Sequence, residues 1–254
     1  AYALKLMGES PVISATIGHD TTRYFNWLKE NEISTENIKI IEDEFTAGAY
    51  ITTDKANNQI TGFNPGAMKY SSELNFDELD PDETLLIASP GNLDDMINYP
   101  KLCKEREITC IFDPGQALPV LHDESLTEAI TSSSMLIVND YEFDLIMNKT
   151  GLSKDALLER AGTTIITLGE HGSKLFTNGD EIDIAPVAAN KVTDPTGCGD
   201  AYRGGLISGI VSGKDLVESA QLGSVCASFA VECYGTQEYS FTHEEFKDRL
   251  KNGA

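Results

Sequence analysis

The sequence predicts an α/β protein with a mostly parallel central sheet covered by helices on both faces. Short apolar runs of strand length alternate with longer stretches of helical spacing along most of the chain. Strands buried on both faces are expected to be continuously apolar, as these runs are. With 254 residues, 41% of them hydrophobic, the chain is long enough to fold around a packed core. We therefore interpret residues 1–254 as a single domain.

The first third of the chain combines this alternation with a β-rich insertion. Residues 1–8 have helical spacing and end at Gly8, which suits a helix C-cap. This apolar pattern begins without a Met or a capping residue, so we expect the chain to lack a natural N-terminal segment, either cleaved or absent. A strand is predicted at 11–17 and a helix at 24–30. Two β-rich runs within 45–64, AGAYITT and QITGF, flank five turn-forming residues, DKANN, and predict a hairpin.

The remainder returns to regular alternation. The predicted strands are 84–88, 109–113, 135–139 and 163–168, and the intervening helices are 94–106, 125–131 and 141–148. Segments 174–177 and 181–184 flank Asn-Gly-Asp and predict an antiparallel hairpin at the sheet edge. Three helices follow at 200–212, 216–233 and 242–251. Because open α/β sheets bind ligands at the carboxyl ends of their strands, we expect the site in the polar, glycine-rich segments 89–92, 113–115, 139–142 and 169–172.

Charge and cysteine content exclude several functions. The chain has 19 basic and 41 acidic residues, a net charge of −22, which repels nucleic-acid backbones and anionic lipids. We therefore expect no nucleic-acid partner and no membrane association, and a protein that handles an anion must do so in a local site. The sequence has neither a membrane-spanning run nor a signal peptide, and its five scattered cysteines lack zinc-site spacing. These features predict a cytoplasmic protein with reduced thiols.

The most informative segment is DPTGCGDAYRGG, from Asp194 to Gly205. A Gly-x-Gly-Asp sequence that opens an apolar helix places free N–H groups at the positive end of the helix dipole, which is a ready anion site. Asp200 then has two interpretations: it caps the helix, or it is a general base that accepts a proton from a hydroxyl. In the second case the amides of Gly197, Cys198 and Gly199 hold the charge of a transferring phosphoryl group.

This segment resembles the second signature of the ribokinase-like (PfkB-type) carbohydrate and nucleoside kinases, D-T-x-G-A-G-D-x-F-x-x-G. Pro195 stands where Thr is commoner, and Cys198 stands where Ala is commoner. Neither change removes an amide of the glycine-rich loop, although the thiol is expected to make the enzyme sensitive to alkylation. The resemblance implies a ribokinase-like fold in which the hairpin at 45–64 is a small lid.

Three other segments resemble family motifs in the family's order. Residues 139–142, Asn-Asp-Tyr-Glu, resemble N-x-x-E, and the resemblance assigns Asn139 to the phosphates and Glu142 to Mg²⁺ and its waters. Residues 167–172 resemble T-x-G-x-x-G, which implies contacts of the nucleotide with Thr167, Gly169 and Gly172. Thr196, in the anion loop, is also expected to contact the nucleotide. Gly18-His19-Asp20 resembles an early G-x-D. From the residues alone, Glu142 is equally well a first-turn helix carboxylate.

The hairpin bears on the acceptor. Its T-D…N-Q-I…F-x-P-G-A-M pattern resembles the adenosine and broader nucleoside kinases of the family more than the ribokinases or fructokinases. The resemblance assigns Gln59, Phe63 and Asn64 to the substrate, with Phe63 available to stack on a base. An apolar hairpin residue is otherwise a core residue.

The predicted function is transfer of the γ-phosphoryl group of ATP, with Mg²⁺, to a hydroxymethyl group of a nucleoside, adenosine first. A monovalent cation such as K⁺ is common near this loop in the family. Family hairpins also act as dimer faces, so the resemblance points to a homodimer. Two alternatives stay open: a sugar kinase of the same family, and a catalytically silent nucleotide-binding protein. Arg203, one turn beyond Asp200, is either a structural ion pair or an anion clamp.

Overall fold

The structure is a computed structural model that describes residues 1–53 and 59–253. The strands are β1 (Ala15–Gly18), β2 (Ile38–Ile41), β3 (Gly48–Thr53), β4 (Gln59–Asn64), β5 (Leu85–Ala88), β6 (Thr109–Phe112), β7 (Met135–Asn139), β8 (Thr163–Thr167), β9 (Ser173–Thr177) and β10 (Asp180–Ile184). The helices are α1 (Tyr2–Leu6), α2 (Thr22–Glu30), α3 (Leu93–Glu105), α4 (Asp123–Ser132), α5 (Asp140–Thr150), α6 (Lys154–Ala161), α7 (Cys198–Val211), α8 (Leu216–Ala230) and α9 (His243–Gly253). None of these described helices has the length and apolar character needed to cross a membrane.

The central sheet has six strands in the order β10-β9-β8-β7-β6-β5. Strands β5 to β8 are parallel, and β9 runs antiparallel to both β8 and β10. Successive residues of β7 enter different cores: Leu136 and Val138 pack on one face, and Met135 and Ile137 pack on the other. Burial on both faces explains the continuous apolar runs. The predicted sheet with an antiparallel edge hairpin is confirmed.

The N-terminal strand departs from the prediction. β1 does not join the central sheet but pairs in parallel with β2 as a separate two-stranded sheet. Of the predicted strand at 11–17, only the last residues are regular, and Val12 forms an isolated bridge with Ser34. β2 was not predicted, because a four-residue run gives little local signal and β2 depends on β1 for its hydrogen bonds. Helix α6 was also missed, although Ser153 caps its first turn.

The predicted hairpin is present as β3 and β4, an antiparallel pair in which Ala49 lies opposite Phe63 and Thr52 opposite Ile60. The five turn residues, 54–58, lie outside the described residues. The predicted lid strands thus form a small sheet of their own, separate from the central one.

Glycines let α7 pack closely on its neighbours. A Cβ atom on Gly205 would lie 2.4 Å from the carbonyl oxygen of Leu222 in α8, and one on Gly204 would lie 2.3 Å from the Cβ of Ala3 in α1. Such distances exclude any larger residue at either position. The small residues of the α7 sequence therefore fix the helix between α1 and α8, and this packing positions its first turn.

Candidate active site

The loop that precedes α7 is a tight turn. The N–H of Cys198 donates to the carbonyl oxygen of Pro195 at 3.1 Å, and Gly197 has φ 84° and ψ −2°. These are the features of a type II turn with Gly197 at its third position, where glycine is favoured because φ is positive. The glycine of the predicted anion loop is thus required by the local backbone.

This turn corrects the expectation for Cys198. Because its N–H group is already bonded to Pro195, it is not a free donor for an anion. Within the described part of the chain, the amides of Gly197, Gly199 and Asp200 make no hydrogen bond. Free amides at the first turn of a helix, at the positive end of its dipole, form an anion-binding site. The candidate anion loop thus keeps the predicted amides of Gly197 and Gly199, loses that of Cys198 and gains that of Asp200.

Asp200 lies in the first turn of α7 with an exposed side chain. No side chain caps this helix, and the Asp200 carboxylate makes no hydrogen bond to any described residue. The capping interpretation of Asp200 therefore lacks its hydrogen bond, and the carboxylate is free to accept a proton.

The surroundings of the Cys198 thiol shift its pKa away from the range of a reactive cysteine. Burial raises the pKa of Cys198 to about 11, and the carboxylates of Asp194 and Asp200 act in the same direction. The nucleophilic form of cysteine is the thiolate, so this rise lowers the reactive fraction at neutral pH. The raised pKa argues against the expected sensitivity to alkylation.

Asn139 and Glu142 form a capping box at the start of α5. The Asn139 side chain accepts the N–H of Glu142 at 2.7 Å, and Glu142 Oε2 accepts the N–H of Asn139 at 2.8 Å. This arrangement satisfies two amides of the helix N-terminus. It agrees with the structural interpretation of Glu142, and it leaves Oε1 without a partner among the described residues.

The second glycine-rich segment closes the end of β8. Gly169, which begins a short 3₁₀ turn, and Gly172, which follows that turn, both have positive φ, 58° and 84°. A Cβ atom on Gly172 would lie 2.2 Å from the carbonyl oxygen of Ile184, so this position accepts no side chain. Thr167 ends β8 directly opposite Asn139 of β7. The predicted nucleotide loop and the Asn139–Glu142 segment therefore occupy neighbouring strand ends.

Two side-chain contacts hold α7 over this edge of the sheet. Arg203 Nη2 donates to Asp113 Oδ1 at 2.6 Å, which joins α7 to the end of β6. The hydroxyl groups of Tyr202 and Ser173 lie 2.8 Å apart and join α7 to the start of β9. Because β7 and β8 lie between β6 and β9, the first turns of α7 lie across the ends of the two strands that present Asn139 and the nucleotide loop.

Asp113 is a buried carboxylate at the end of β6, in one of the strand-end segments expected to form the site. Burial raises the pKa of Asp113 to about 6, Arg203 opposes this rise, and the carboxylates of Glu142 and Asp200 add to it. The Arg203 guanidinium beside this carboxylate favours its ionised form. The signal that could have found it is an aspartate directly after a buried strand in an α/β sheet. Of the two interpretations of Arg203, the structure favours the ion pair.

Asp194 connects the anion loop to the segment after α8. Its Oδ1 accepts the N–H of Thr196 at 2.9 Å, and its Oδ2 accepts the N–H of Gly235 at 3.1 Å. The hydrogen bonds from Thr196, and less strongly that from Gly235, lower the pKa of Asp194. The N–H of Thr196 is thus occupied, and a nucleotide contact of Thr196 would have to use its exposed side chain.

The base of the hairpin is tied to the strand that precedes it. Asp20 Oδ1 accepts the N–H of Thr46 at 2.9 Å and its hydroxyl at 2.6 Å, and the Thr46 hydroxyl accepts the N–H of Gly18 at 3.1 Å. The hydrogen bond from the Thr46 hydroxyl, and less strongly that from its N–H, lowers the pKa of Asp20. The early G-x-D segment is therefore an anchor of the hairpin.

The three substrate residues predicted in the hairpin all lie in β4. Gln59 begins this strand. Phe63 is 53% exposed, which rejects the core interpretation and leaves its ring free to stack. Asn64 Oδ1 accepts the N–H of Gly66 at 3.2 Å, a local turn contact.

A cavity of about 310 Å³ opens between the hairpin base and the central sheet. It is lined by residues of β1, the hairpin base, α3 and the loop after β5, among them Thr16, Ala47, Ser89, Asn92 and Tyr99. Its volume is at the lower end of small-molecule sites. Since β5 lies beside β6, the cavity is one strand away from the Asp113–Arg203 pair.

The described side chains form no cluster of three or more His, Cys, Asp or Glu residues that could hold a metal ion by itself. Mg²⁺ usually keeps several waters and few protein ligands when it binds together with a nucleotide. A site of that kind fits the single free oxygen of Glu142 better than a cage of protein ligands would.

Two glycine-rich loops thus lie at the same edge of the sheet, and the first of them carries the Asp200 carboxylate, which makes no hydrogen bond to a described residue. This fold and site define a phosphotransferase with an alcohol group as acceptor. The model of the pfkB family of carbohydrate kinases matches residues 1–243. The chain belongs to the pfkB carbohydrate kinase family, as its sequence motifs predicted.

Individual relatives are similar to this chain over nearly its whole length. It is 36% identical over 253 residues to a nucleoside kinase of Methanocaldococcus jannaschii, a match that covers 99% of this chain and 83% of that enzyme. The structure of Burkholderia thailandensis nucleoside kinase in complex with inosine has a TM-score of 0.93 at 37% identity, covering 100% of this chain and 85% of the other. The same kinase in complex with ADP-inosine has a TM-score of 0.92, covering 100% and 79%. The ribokinase-like fold is therefore confirmed.

Proposed function

We propose that this chain is an ATP-dependent nucleoside kinase that transfers the γ-phosphoryl group to the 5′-hydroxyl of a purine nucleoside, adenosine or inosine. The observation that supports this most strongly is the pair of relatives above, both nucleoside kinases, which match nearly the full chain at 36% and 37% identity. The intact loop, with its exposed Asp200, argues against the alternative of a silent nucleotide-binding protein.

In the proposed reaction, Asp200 accepts the proton of the acceptor hydroxyl as its oxygen attacks the γ-phosphorus. The bond between that phosphorus and the β,γ-bridging oxygen breaks, and ADP leaves. The free amides of Gly197, Gly199 and Asp200 stabilise the negative charge on the transferring group. Preorganised donors of this kind need no rearrangement at the moment of transfer, because the turn and the helix already fix their directions.

ATP is expected to lie along the ends of β7 and β8, with Thr167, Gly169 and Gly172 against its phosphates and Asn139 beside them. Glu142 would hold Mg²⁺ through water, with its free Oε1. When bound, Mg²⁺ neutralises the developing charge of the phosphates. Thr196 is proposed to contact the nucleotide through its side chain.

We assign the nucleoside to the cavity between the hairpin base and the loop after β5. The cavity opens at the carboxyl end of the sheet, where ligands of α/β proteins bind, and its Asn92 and Ser89 offer polar groups for ribose or base. Phe63 and the other predicted hairpin residues, Gln59 and Asn64, would cover this cavity from the lid. The free aromatic face of Phe63 suits a purine ring.

The test is a panel of nucleosides and free sugars, scored by ADP release and by mass of the product. We expect phosphorylation of adenosine or inosine with kcat/KM at least tenfold above that for ribose or fructose. A chain that phosphorylates only free sugars would contradict the nucleoside assignment, and one that phosphorylates nothing would contradict the enzyme itself.

Three further expectations belong to this proposal. K⁺ activation is expected from the family resemblance. A homodimer through the outer face of the hairpin is expected because Tyr50 and Ile60, on one face of it, are 72% and 79% exposed. A cytoplasmic location remains the prediction from sequence. Potassium titration, light scattering and cell fractionation test these in turn.

A further inference from the structure

The Asp113–Arg203 ion pair joins two distant parts of the chain at the candidate active site. Asp113 follows the last residue of β6 and is 3% exposed. Arg203 lies three residues after Asp200 on α7, so both side chains project from the same side of the helix. The Arg203 side chain is 15% exposed. A charged pair this deeply placed is unusual.

The contact is two-pronged. Nη2 of Arg203 donates to Oδ1 of Asp113 at 2.6 Å, and Nε lies 2.6 Å from Oδ2 at an angle outside hydrogen-bond geometry. Two contacts between planar groups fix the plane of the guanidinium as well as its distance. The orientation of the Arg203 side chain is therefore set by Asp113.

The guanidinium also packs against the anion loop. A Cβ atom on Gly199 would lie 2.7 Å from Nη1 of Arg203. Glycine at this position thus leaves room for the guanidinium beside the unbonded amide of Gly199. A shift of the Arg203 side chain would consequently disturb the loop directly.

Stability alone does not explain the pair. The cost of removing two charges from water often cancels their attraction, and buried ion pairs replaced together by apolar residues commonly leave a protein as stable as before. A pair that contributes little to stability but fixes one orientation is suited to holding geometry.

We propose that Asp113 and Arg203 are positioning residues for phosphoryl transfer: they hold the first turn of α7 so that the amides of the anion loop and the Asp200 carboxylate keep their mutual geometry. This inference rests on the proposed function. Neither residue contacts a substrate in the proposed reaction. Tyr202, bonded to Ser173, secures the opposite side of the same helical turn.

The decisive variant is the double substitution Asp113→Leu and Arg203→Met, which removes both charges together. We expect a thermal midpoint close to that of the parent, kcat lowered at least tenfold, and KM for ATP changed less than threefold. A purely structural pair would give a folded variant with parental kcat, and that result would overturn the inference.

The single substitution Arg203→Lys keeps the charge and removes the planar fork, and it decides the question if the double variant does not fold. We expect kcat to fall at least fivefold, again with little change in KM. The matched control is Arg249→Lys, which alters an Arg–Glu232 pair with both side chains 15% exposed, on α9 and after α8. Equal kcat losses in the two Lys variants would contradict a positioning role.

The parent chain is assayed first with nucleosides and sugars, so the two hypotheses fail separately. If it phosphorylates only sugars, the nucleoside assignment fails, and the ratio of variant to parent kcat on that sugar still decides the inference. If it phosphorylates nothing, both fail. If it phosphorylates a nucleoside and the folded double variant matches it, only the positioning role is wrong.

Discussion

Substituting Asp200 by Asn separates the two interpretations of this residue, because Asn keeps the shape and the helix-capping ability of Asp but cannot accept a proton. The structure predicts little effect on folding. The Asp200 side chain is exposed and makes no hydrogen bond with described residues. What it can lose is its interaction with the helix dipole, about 0.3–1 kcal/mol. For a protein of this size that corresponds to a fall in Tm of at most about 4 °C.

The effect on turnover should be far larger. Removal of a general base lowers kcat by roughly 10²- to 10⁴-fold, or about 2.7–5.4 kcal/mol of transition-state free energy. ATP affinity should remain within a few-fold of the parent, because the amides of the anion loop are unchanged. The expected signature is therefore a protein that folds and binds ATP normally but turns over at a small fraction of the parental rate.

The assay combines coupled ADP release under saturating substrates with thermal unfolding and nucleotide binding by calorimetry. Asp155→Asn is a matched control, since Asp155 is an exposed carboxylate in the first turn of another helix, α6. It should show a comparable small change in Tm and parental kcat. Parental turnover in the Asp200 variant would refute the general-base mechanism.

Three other outcomes are expected. Glu142→Gln should raise the Mg²⁺ concentration for half-maximal activity, because a neutral amide holds the waters of the metal less strongly. The loss of Tm should be small, since the Gln side-chain oxygen can still accept the hydrogen bond from the Asn139 N–H. An unchanged Mg²⁺ titration would remove Glu142 from the metal site. Gly172→Ala should lower the free energy of unfolding by more than about 2 kcal/mol, because φ is positive there and the added Cβ would lie 2.2 Å from the carbonyl oxygen of Ile184. Gly151→Ala is the control: φ is also positive, but nothing lies within 4 Å of the added Cβ, so the loss should be about 1 kcal/mol. Similar Tm values for the two variants would contradict this expectation. The pKa of Cys198 is raised to about 11 from a usual 9.0, so its thiolate fraction at neutral pH should be about 100-fold lower than that of an ordinary cysteine. The rate of alkylation, measured by peptide mass, should therefore be low at neutral pH and rise tenfold per pH unit up to about pH 11. Fast modification at pH 7 would show that the thiol is not shielded.

Much of the fold follows from local patterns. The apolar runs of β5 to β8 predict buried parallel strands, because a strand covered on both faces has no polar side to show. Gly197 is likewise determined locally, since only a residue that tolerates positive φ completes the type II turn before α7. Capping of α5 by Asn139 and Glu142 depends on residues three apart, and a sequence displays that spacing directly.

Other features required the tertiary structure. The Gly-x-Gly-Asp spacing predicts three free amides. In the structure the N–H of Cys198 donates to the carbonyl oxygen of Pro195, and only the backbone geometry shows which N–H groups remain free. The four residues of β2 form a strand because β1 lies beside them, so their own sequence gives no sufficient signal.

The sequence indicates which residue types are available for the candidate site, and the fold decides which of them lie together. The sequence identifies Asp200 and its glycines as a candidate site because an anion site at a helix start is made by neighbours in the chain. The partnership of Asp113 with Arg203 spans 90 positions, and it exists only because α7 packs across the ends of the parallel strands. Contacts between distant residues depend on how helices and strands pack against one another, and a single sequence does not record that packing.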